Sequence, residues 1–280
     1  MPSELQRLIF ETAARRDRSV ARQLILVSQN VRTWIEPILY ECIIVRSQQH
    51  AEALFKTIAA KSQALGSFVK SLAIGDSVTL QQSKDILAAC SQNVVNFAVW
   101  TNSRNPSVFL PFVRSLSIRR LSLRSTHSAE LSVPLILLAA LTHLMILDGP
   151  YSWFQMREAV RDAKNAINSG YPSAAAQFRS LTHFATCSQN WGNTQSLLKL
   201  AANLRYFIVV VSPYSKAAPM IAQRIREIGD RRMVLVEYSP TIESWESSTR
   251  GLSSSVWERA EKLVKDGYFA EHGDVRKWNP

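Results

Sequence analysis

The amino-acid sequence predicts an α/β protein in which a short helical unit precedes a parallel β-sheet lined by helices. Apolar-x-apolar segments recur along most of the chain, and stretches with apolar residues at i, i+3 and i+4 lie between them. A dense helical pattern is confined to the first forty residues. We therefore divide the chain into a helical unit at 1–40, a repetitive α/β region at 41–240 and a C-terminal segment at 241–280.

Composition limits the classes of protein to which the chain can belong. With 280 residues, 46% of them hydrophobic, the chain can bury a large core. The formal net charge of +11 suggests an acidic partner, but charge alone says more about association than about fold. Cys42, Cys90 and Cys187 are widely separated and odd in number, which favours a reducing compartment. Since the N-terminus also lacks the apolar core of a signal peptide, we expect the cytoplasm, the nucleus or both.

One run of residues resembles a membrane segment. It is LSVPLILLAALTHLMIL at 131–147, which contains Pro134, Thr142 and His143 and is shorter than the roughly 20 residues that a span requires. We interpret it as a buried helix end that runs into a strand, and we expect no membrane association.

The first predicted helix begins near Ser3. Ser3 and Gln6 have the spacing of a capping box, in which each side chain bonds the backbone amide of the other. Leu5, Leu8, Ile9 and Thr12 follow at i, i+3, i+4 and i+7, which places an apolar stripe on one side of this helix.

Two further short helices complete the helical unit. Asp17 or Ser19 can cap the second, which carries apolar residues on more than one side. The third, NVRTWIEPILY, includes Trp34, and Pro37 predicts a kink or stop within it. Three helices of about ten residues each cannot bury so much apolar surface among themselves, so another surface must cover the rest.

The same residues resemble a known family. The segment MPSELQRLIFETAARRD...ARQLILVSQNVRTWIEPILY is similar to the F-box, with Met1, Pro2, Glu4 and Leu5, then Ile9 and Phe10, then Leu26, Val27 and Ser28, then Trp34 at the motif positions. The continuation WIEPILYECIIV resembles that of fungal F-box proteins. This resemblance implies that the unit binds the Skp adaptor and, through it, the cullin of an SCF-type ubiquitin ligase. The Skp-binding residues it implies are Pro2, Leu5, Leu8, Ile9, Leu24, Val27 and Trp34.

Beyond residue 40 the sequence repeats weakly. SFVKSLAIG at 67–75 resembles PFVRSLSIR at 111–119, and ALTHLMILD at 140–148 resembles SLTHFATCS at 180–188. Strand, turn and helix recurring every ~20 to 45 residues predict an irregular α/β solenoid, a horseshoe of the leucine-rich-repeat kind. The eight predicted strands lie within 40–45, 67–75, 93–101, 111–119, 140–148, 180–188, 203–212 and 231–239.

Helices are predicted between several of these strands, because the apolar residues there recur at helical spacing. They lie at 50–65, 79–92, 153–169, 194–204 and 218–229.

Side-chain alternation predicts which strand residues point away from the helices. Residues such as Leu72 and Ile74 should face the helices, and their neighbours should form the opposite face of the sheet. The predicted neighbours are Ser71, Ala73, Asn96, Trp100, Ser117, Arg119, His143, Met145, His183, Cys187, Tyr206, Ile208, Met233, Leu235 and Glu237.

This opposite face is the predicted target-binding surface. Its aromatic, arginine and methionine residues are types favoured at protein interfaces. The predicted target-binding residues are Trp100, Arg119, His143, Met145 and Tyr206. Two alternatives stay open: Trp100 and Tyr206 are covered by a loop or by the C-terminal segment, and His143 and His183 form hydrogen bonds between helix and strand instead of binding a ligand.

The C-terminal segment contains one more predicted helix. One of the serines at 253–255 should cap it, and Val256, Trp257 and Ala260 form its apolar stripe. We expect this capping helix to close the open end of the solenoid. Trp245, Gly251, Trp257 and Ala260 resemble the end of fungal F-box proteins that have leucine-rich-repeat-like bodies.

The sequence contains no recognised catalytic, metal-binding or nucleotide-binding motif. His183 and Cys187 would be about 13 Å apart on one strand, too far for a nucleophile and its base. We therefore expect a non-catalytic protein with no cofactor, no metal and no catalytic residues. A basic stretch at 77–129 is either a solvated surface or an anion-binding one; its charged residues are Lys84, Asp85, Arg104, Arg114, Arg119, Arg120 and Arg124.

Three hypotheses of function follow. The chain is a substrate receptor of a ubiquitin ligase that presents an unknown target protein, an F-box-like interaction protein acting outside a ligase, or a basic nucleic-acid-binding repeat protein. The third is disfavoured because the basic stretch has few interleaved aromatic residues and no recognised nucleic-acid-binding module.

Overall fold

A helical unit, an eight-stranded parallel sheet and a pair of C-terminal helices form the molecule. This computed structural model describes residues 2–61, 64–90, 92–101, 109–113, 116–125, 139–148, 178–187, 189 and 191–267. Within these ranges, no helix has the length and apolar character needed to cross a membrane.

Three helices form the N-terminal unit: α1 (Ser3–Arg16), α2 (Arg18–Leu24) and α3 (Gln29–Tyr40). Asp17 accepts a hydrogen bond from the Ser19 amide and Ser28 accepts one from the Val31 amide, so side chains cap both α2 and α3. The predicted capping box at Ser3 is wrong. The N-cap position is Pro2, and no side chain caps α1.

The core of the helical unit is small. Helix α3 continues through Pro37 to Tyr40, although a kink or stop was expected, because residues on both sides of the proline pack into this core. Its buried members are Ala14, Ala21, Val31, Ile35 and Leu39.

The eight strands pair in chain order and all run parallel, and the sheet is not closed. This arrangement is consistent with a solenoid. The strands are β1 (Cys42–Ser47), β2 (Ser71–Ser77), β3 (Asn96–Thr101), β4 (Arg120–Ser125), β5 (His143–Asp148), β6 (His183–Thr186), β7 (Tyr206–Val211) and β8 (Met233–Glu237).

The fourth predicted strand is wrong in position. The segment 111–119 was aligned with 67–75, but β3 pairs with residues 120–125, with Asn96 opposite Arg120. Part of 111–119 belongs to the short helix α7 (Leu110–Val113), and Ile118 is buried in the connection before the strand. The alternation Leu121, Ser122, Leu123 supplies the strand instead.

Helices pack against one face of the sheet and form the main core with it. The predicted helix at 50–65 is two helices in the structure, and the one predicted at 153–169 lies outside the described residues. Gly66 lies so close to the backbone of Ala89 that no Cβ would fit there. The helices of this layer that the structure describes, besides α7, are α4 (Gln48–Lys61), α5 (Ala64–Phe68), α6 (Leu80–Cys90), α8 (Trp191–Leu200) and α9 (Ala218–Ile228).

The predicted alternation of strand residues is correct for most of the sheet. Leu72 and Ile74 face the helices, whereas Ala73 lies in the cluster on the opposite face. Met233 and Leu235 were predicted on that opposite face and lie in the helix-side core. The pairing of Phe207 with Met233 sets this register.

Two C-terminal helices, α10 (Ile242–Thr249) and α11 (Val256–Lys265), lie on the opposite face of the sheet, and we call them the C-terminal cover. Helix α10 contacts β1, and α11 contacts β7 and β8. The segment therefore covers the face of the sheet, whereas we predicted that it closes one end. Both helices begin with a capping box, formed by Thr241 with Ser244 and by Ser255 with Glu258.

The N-terminal ends of the strands are joined by a regular hydrogen-bond row. From β1 to β6, the backbone carbonyl just before each strand accepts the amides of two residues in the next repeat: the Glu41 carbonyl accepts from Lys70 and Ser71, and the Val95 carbonyl accepts from Arg119 and Arg120. This row holds residues 41, 70, 95 and 119 in line along one edge of the sheet.

Candidate interaction surfaces

The helical unit exposes a large amount of apolar surface. Of the nine large hydrophobic residues that are exposed in the described part of the chain, five lie within its first 27 residues. We call these five the helical apolar surface: Leu5, Leu8, Ile9, Leu26 and Val27, with 46%, 61%, 47%, 74% and 63% of their area exposed.

The geometry of α1 explains this exposure. Phe10 and Ala14 pack into the core of the helical unit. Leu5 lies nine residues before Ala14, and nine residues at 100° per residue put the two side chains on opposite sides of the helix. The apolar stripe of Leu5, Leu8 and Ile9 predicts an amphipathic helix. In the structure this stripe lies on the side of α1 that faces away from α2 and α3.

The predicted Skp-binding residues fall into two groups. Pro2, Leu5, Leu8, Ile9 and Val27 are exposed, whereas Leu24 and Trp34 are half-buried and pack against the core of the helical unit. Leu26 is the most exposed member of the helical apolar surface and was not among the predicted residues. The signal for it was present in the sequence, because the second helix carries apolar residues on more than one side.

The predicted target-binding residues do not form an open surface. Trp100 and Met145 are buried in a cluster that includes Trp245 and Trp257 of the C-terminal cover, and Tyr206 is half-buried against it. The expectation that Trp100 and Met145 face solvent is wrong, because the cover excludes water from them. The alternative in which the C-terminal segment covers Trp100 is correct.

His143 and His183 stack beneath the same cover. Their ring centroids are 4.1 Å apart with an interplanar angle of 6°, and the edge of Trp257 meets the His143 ring at 5.1 Å. The Nδ1 atoms lie 2.9 Å and 2.8 Å from the hydroxyls of Thr142 and Thr182. The alternative of a hydrogen bond between helix and strand agrees with the structure for His183, whose Nε2 lies 3.0 Å from Glu261 Oε1 on α11, whereas the Thr142 partner of His143 immediately precedes the same strand.

Burial changes the protonation of the two rings. Desolvation, with the nearby His183 and Arg120 adding to it, lowers the pKa of His143 to about 3. Burial also lowers the pKa of His183, although the hydrogen bond that its Nε2 donates to the Glu261 carboxylate at 3.0 Å acts in the opposite direction. The stack is therefore neutral at physiological pH.

A small cavity of about 60 Å³ lies between the sheet and the C-terminal cover. The indole Nε1 of Trp100 is buried and has no hydrogen-bond partner among the described residues. The cavity walls include Ser122 and Ser248, and its volume is sufficient for an ordered water that would accept from the indole.

A larger, open groove of about 470 Å³ lies between the helical unit, the N-terminal ends of β1 to β4 and the end of α10. We call it the basic groove. Its walls carry five cationic side chains and one carboxylate, a formal charge of +4. The charged residues are Arg15, Lys70, Arg119, Arg120, Arg250 and Glu41.

The cations of the groove differ in how far they are neutralised. Burial would raise the pKa of Glu41, but hydrogen bonds from Lys70 at 2.9 Å and Arg15 at 2.8 Å hold it below its ordinary value. Arg250 donates to the Cys42 carbonyl at 2.7 Å and pairs with Glu246. Arg119 donates to the Ala140 carbonyl oxygen, and neither it nor Arg120 pairs with a carboxylate in the described part of the chain. These two guanidinium groups are the most available to a ligand.

The basic stretch at 77–129 does not form one surface. Arg119 and Arg120 line the groove, but Arg124 donates to the Pro240 carbonyl and Lys84 lies over the Phe112 ring. Arg104 and Arg114 lie outside the described residues. No local sequence signal reveals Arg15, Lys70 and Arg250 as groove residues, because they come from three distant parts of the chain.

Two of the three cysteine thiols, those of Cys42 and Cys90, are buried. Burial raises the pKa of Cys42 and of Cys90 to about 11 in each case, so both thiols stay protonated at neutral pH. No three His, Cys, Asp or Glu side chains come together as a metal site in the ranges described.

Comparisons of the chain with protein-family models, with curated proteins and with solved structures find no match.

Proposed function

We propose that the protein is a non-catalytic substrate receptor of an SCF-type ubiquitin ligase, in which the N-terminal helices bind the Skp adaptor and the rest of the chain binds the target. Positioning of the target is then the chain's whole contribution to catalysis, since the ligase's other subunits transfer ubiquitin. In this proposal the helical unit is F-box-like and the body is a divergent relative of leucine-rich-repeat horseshoes.

The observation that carries the proposal is the helical apolar surface. Exposing leucine, isoleucine and valine side chains to water costs about 25 cal/mol per Å² of apolar area, and clusters of such residues typically mark protein interfaces. The exposed Leu5, Leu8, Ile9 and Val27 are also residues that the F-box resemblance assigns to Skp binding.

Leu24 and Trp34 have a different role in this proposal. Both pack half-buried against the core of the helical unit, so they stabilise the helices that present the surface. Substitution of either would therefore affect folding as well as binding, and neither is suitable for a test of the interface alone.

Co-expression with a fungal Skp adaptor tests the proposal. We expect a stoichiometric complex on size-exclusion chromatography, and we expect Leu8→Asp and Val27→Asp each to weaken it by at least about 30-fold, because each would bury an unpaired carboxylate at the interface. Since both positions are exposed in the free chain, thermal unfolding of the two variants should match that of the wild type.

Met220→Asp is the matched control. Met220 is exposed to the same 63% as Val27 but lies on α9, remote in sequence from the helical unit. This variant should bind the adaptor as the wild type does. Failure of the wild-type chain to form the complex, or equal weakening by the control, would exclude the proposal.

A further inference from the structure

We infer that the basic groove binds an extended, acidic protein segment that carries an apolar residue next to its anionic side chains. The anionic groups are carboxylates or phosphates, which share the chemistry that arginine recognises. Only the segment's role as the ligase target rests on the proposed function; binding in the groove does not depend on it.

Charge is the first argument for this ligand. The groove has five cationic side chains and one carboxylate, and Glu41 is already shared by Arg15 and Lys70. Arg119 and Arg120 lie on neighbouring backbone positions at the start of β4 without a carboxylate partner in the described ranges. An arginine guanidinium can donate two parallel hydrogen bonds to one carboxylate or phosphate group, so this pair can hold two adjacent anions.

The dimensions of the groove are the second argument. Its floor crosses the N-terminal ends of four adjacent strands, β1 to β4. At about 4.8 Å between strands the floor is about 14 Å wide, which is the length of about four residues of extended chain. The volume of about 470 Å³ falls within the range of ligand-binding pockets.

The uncharged lining is the third argument, and it favours a peptide over a nucleic acid. Val95 is 40% exposed and lies just before β3 in the floor of the groove, and the half-buried Ile38 also lies in the wall. These residues offer contact to an apolar side chain. Among the described residues no aromatic side chain lines the groove, so this part of the chain offers none of the stacking platforms that hold single-stranded bases.

Fluorescence anisotropy with the full-length protein tests the inference. The probes are a short labelled peptide of alternating glutamate and leucine, the same peptide with phosphoserine in place of glutamate, its lysine counterpart, and a single-stranded RNA of similar length. We expect one or both acidic peptides to bind, with weakening at higher ionic strength, and the lysine peptide not to bind. The acidic peptide that binds more tightly identifies carboxylate or phosphate as the preferred anion.

The variant Arg119→Glu/Arg120→Glu should weaken binding of the acidic peptide by at least about tenfold, since each reversal replaces an attraction by a repulsion. It breaks no carboxylate pair in the described structure, so its thermal unfolding should stay close to that of the wild type. Lys70→Gln is a second, milder variant that should weaken binding in the same direction.

Lys216→Glu/Arg231→Glu is the control, because it changes the net charge by the same amount at exposed residues outside the groove. It should retain wild-type affinity within about twofold, whereas equal loss in both double variants would mean that only the overall charge matters and would overturn the inference. Binding of the RNA more tightly than either peptide, with the same loss in Arg119→Glu/Arg120→Glu, would also overturn it.

Adaptor binding should be unchanged in the groove variants. A failure of peptide binding is therefore distinguishable from a failure of the proposed function.

Discussion

At the scale of single residues, the stacked histidines show how burial lowers the pKa of a side chain that serves the packing of the fold. His143 and His183 lie on adjacent strands, and their rings pack between the sheet and Trp257. Threonine hydroxyls contact both Nδ1 atoms. The low pKa of His143 follows from this enclosure, because a charged ring would lose its hydration there.

Acid should therefore destabilise the protein through these histidines. A histidine whose folded pKa lies below its unfolded value of about 6.5 gives its full stability above that pH and loses it as the pH falls toward the folded value. We expect the free energy of unfolding to fall below pH 6.5, by up to about 1.4 kcal/mol per pH unit for each neutral histidine. Urea denaturation at a series of pH values between 7.5 and 5 would measure this slope.

His143→Asn should reduce the slope, since it removes one of the two buried titrating groups. His50→Asn is the control, because His50 is exposed on α4 and should leave the slope unchanged. If the wild-type protein shows no loss of stability between pH 6.5 and 5, the neutral stack is not the state in solution.

At the scale of secondary-structure elements, the capping box of α11 fixes where the C-terminal cover begins its second helix. Ser255 accepts a hydrogen bond from the Glu258 amide at 3.2 Å, and the Glu258 carboxylate accepts one from the Ser255 amide at 2.7 Å. This start places Val256, Trp257 and Ala260 on the buried side of the helix, against the sheet. A shift of the start by one residue would turn Trp257 away from the histidine stack.

Ser255→Ala should lower the free energy of unfolding by about 1 kcal/mol, because the amide of Glu258 loses its partner. Urea denaturation at pH 7.5 would measure the change. Ser253→Ala is the matched control, since Ser253 precedes the same helix but is exposed and does not cap it. Equal effects of the two substitutions would contradict the role of the capping box.

At the scale of the whole molecule, apolar residues fill both faces of the sheet. One core joins the sheet to the helices between the strands, and a second joins it to the C-terminal cover. Ion pairs connect the cover to β1 and to the helical unit: Glu246 lies 3.3 Å from Arg46 and 3.7 Å from Arg18. The helical unit and the C-terminal cover thus meet beside β1.

A chain truncated after Ser239 should lose this second core. Trp100, Met145, Ile208 and Val234 would then be exposed on one surface, and exposed apolar patches of this kind lead to association. We expect strong binding of the dye ANS and aggregation on size-exclusion chromatography, whereas the full chain should show neither. A truncated chain that stays monomeric and does not bind the dye would contradict the structural role of the cover.

Much of the fold could be predicted because its signals are local. Seven of the eight strands lie where apolar alternation placed them, since alternation depends only on neighbouring residues. Strand β4 was missed because we placed the strand by the resemblance between 67–75 and 111–119. The apolar alternation in RLSLRS at 120–125 would have predicted the correct position. The apolar helices of the N-terminal unit were likewise recognisable from their spacing.

The candidate surfaces were less predictable, because each depends on contacts between distant residues. The sequence by itself determined seven of the eight described strands, helices between several of them and an unusually apolar N-terminus. Only the tertiary structure decided that Leu5 and Leu8 face outward, that the C-terminal cover hides Trp100, and that Arg15, Lys70 and Arg250 meet in one groove. The physical reason is that periodicity sets which side of an element is apolar, whereas long-range packing sets what that side meets.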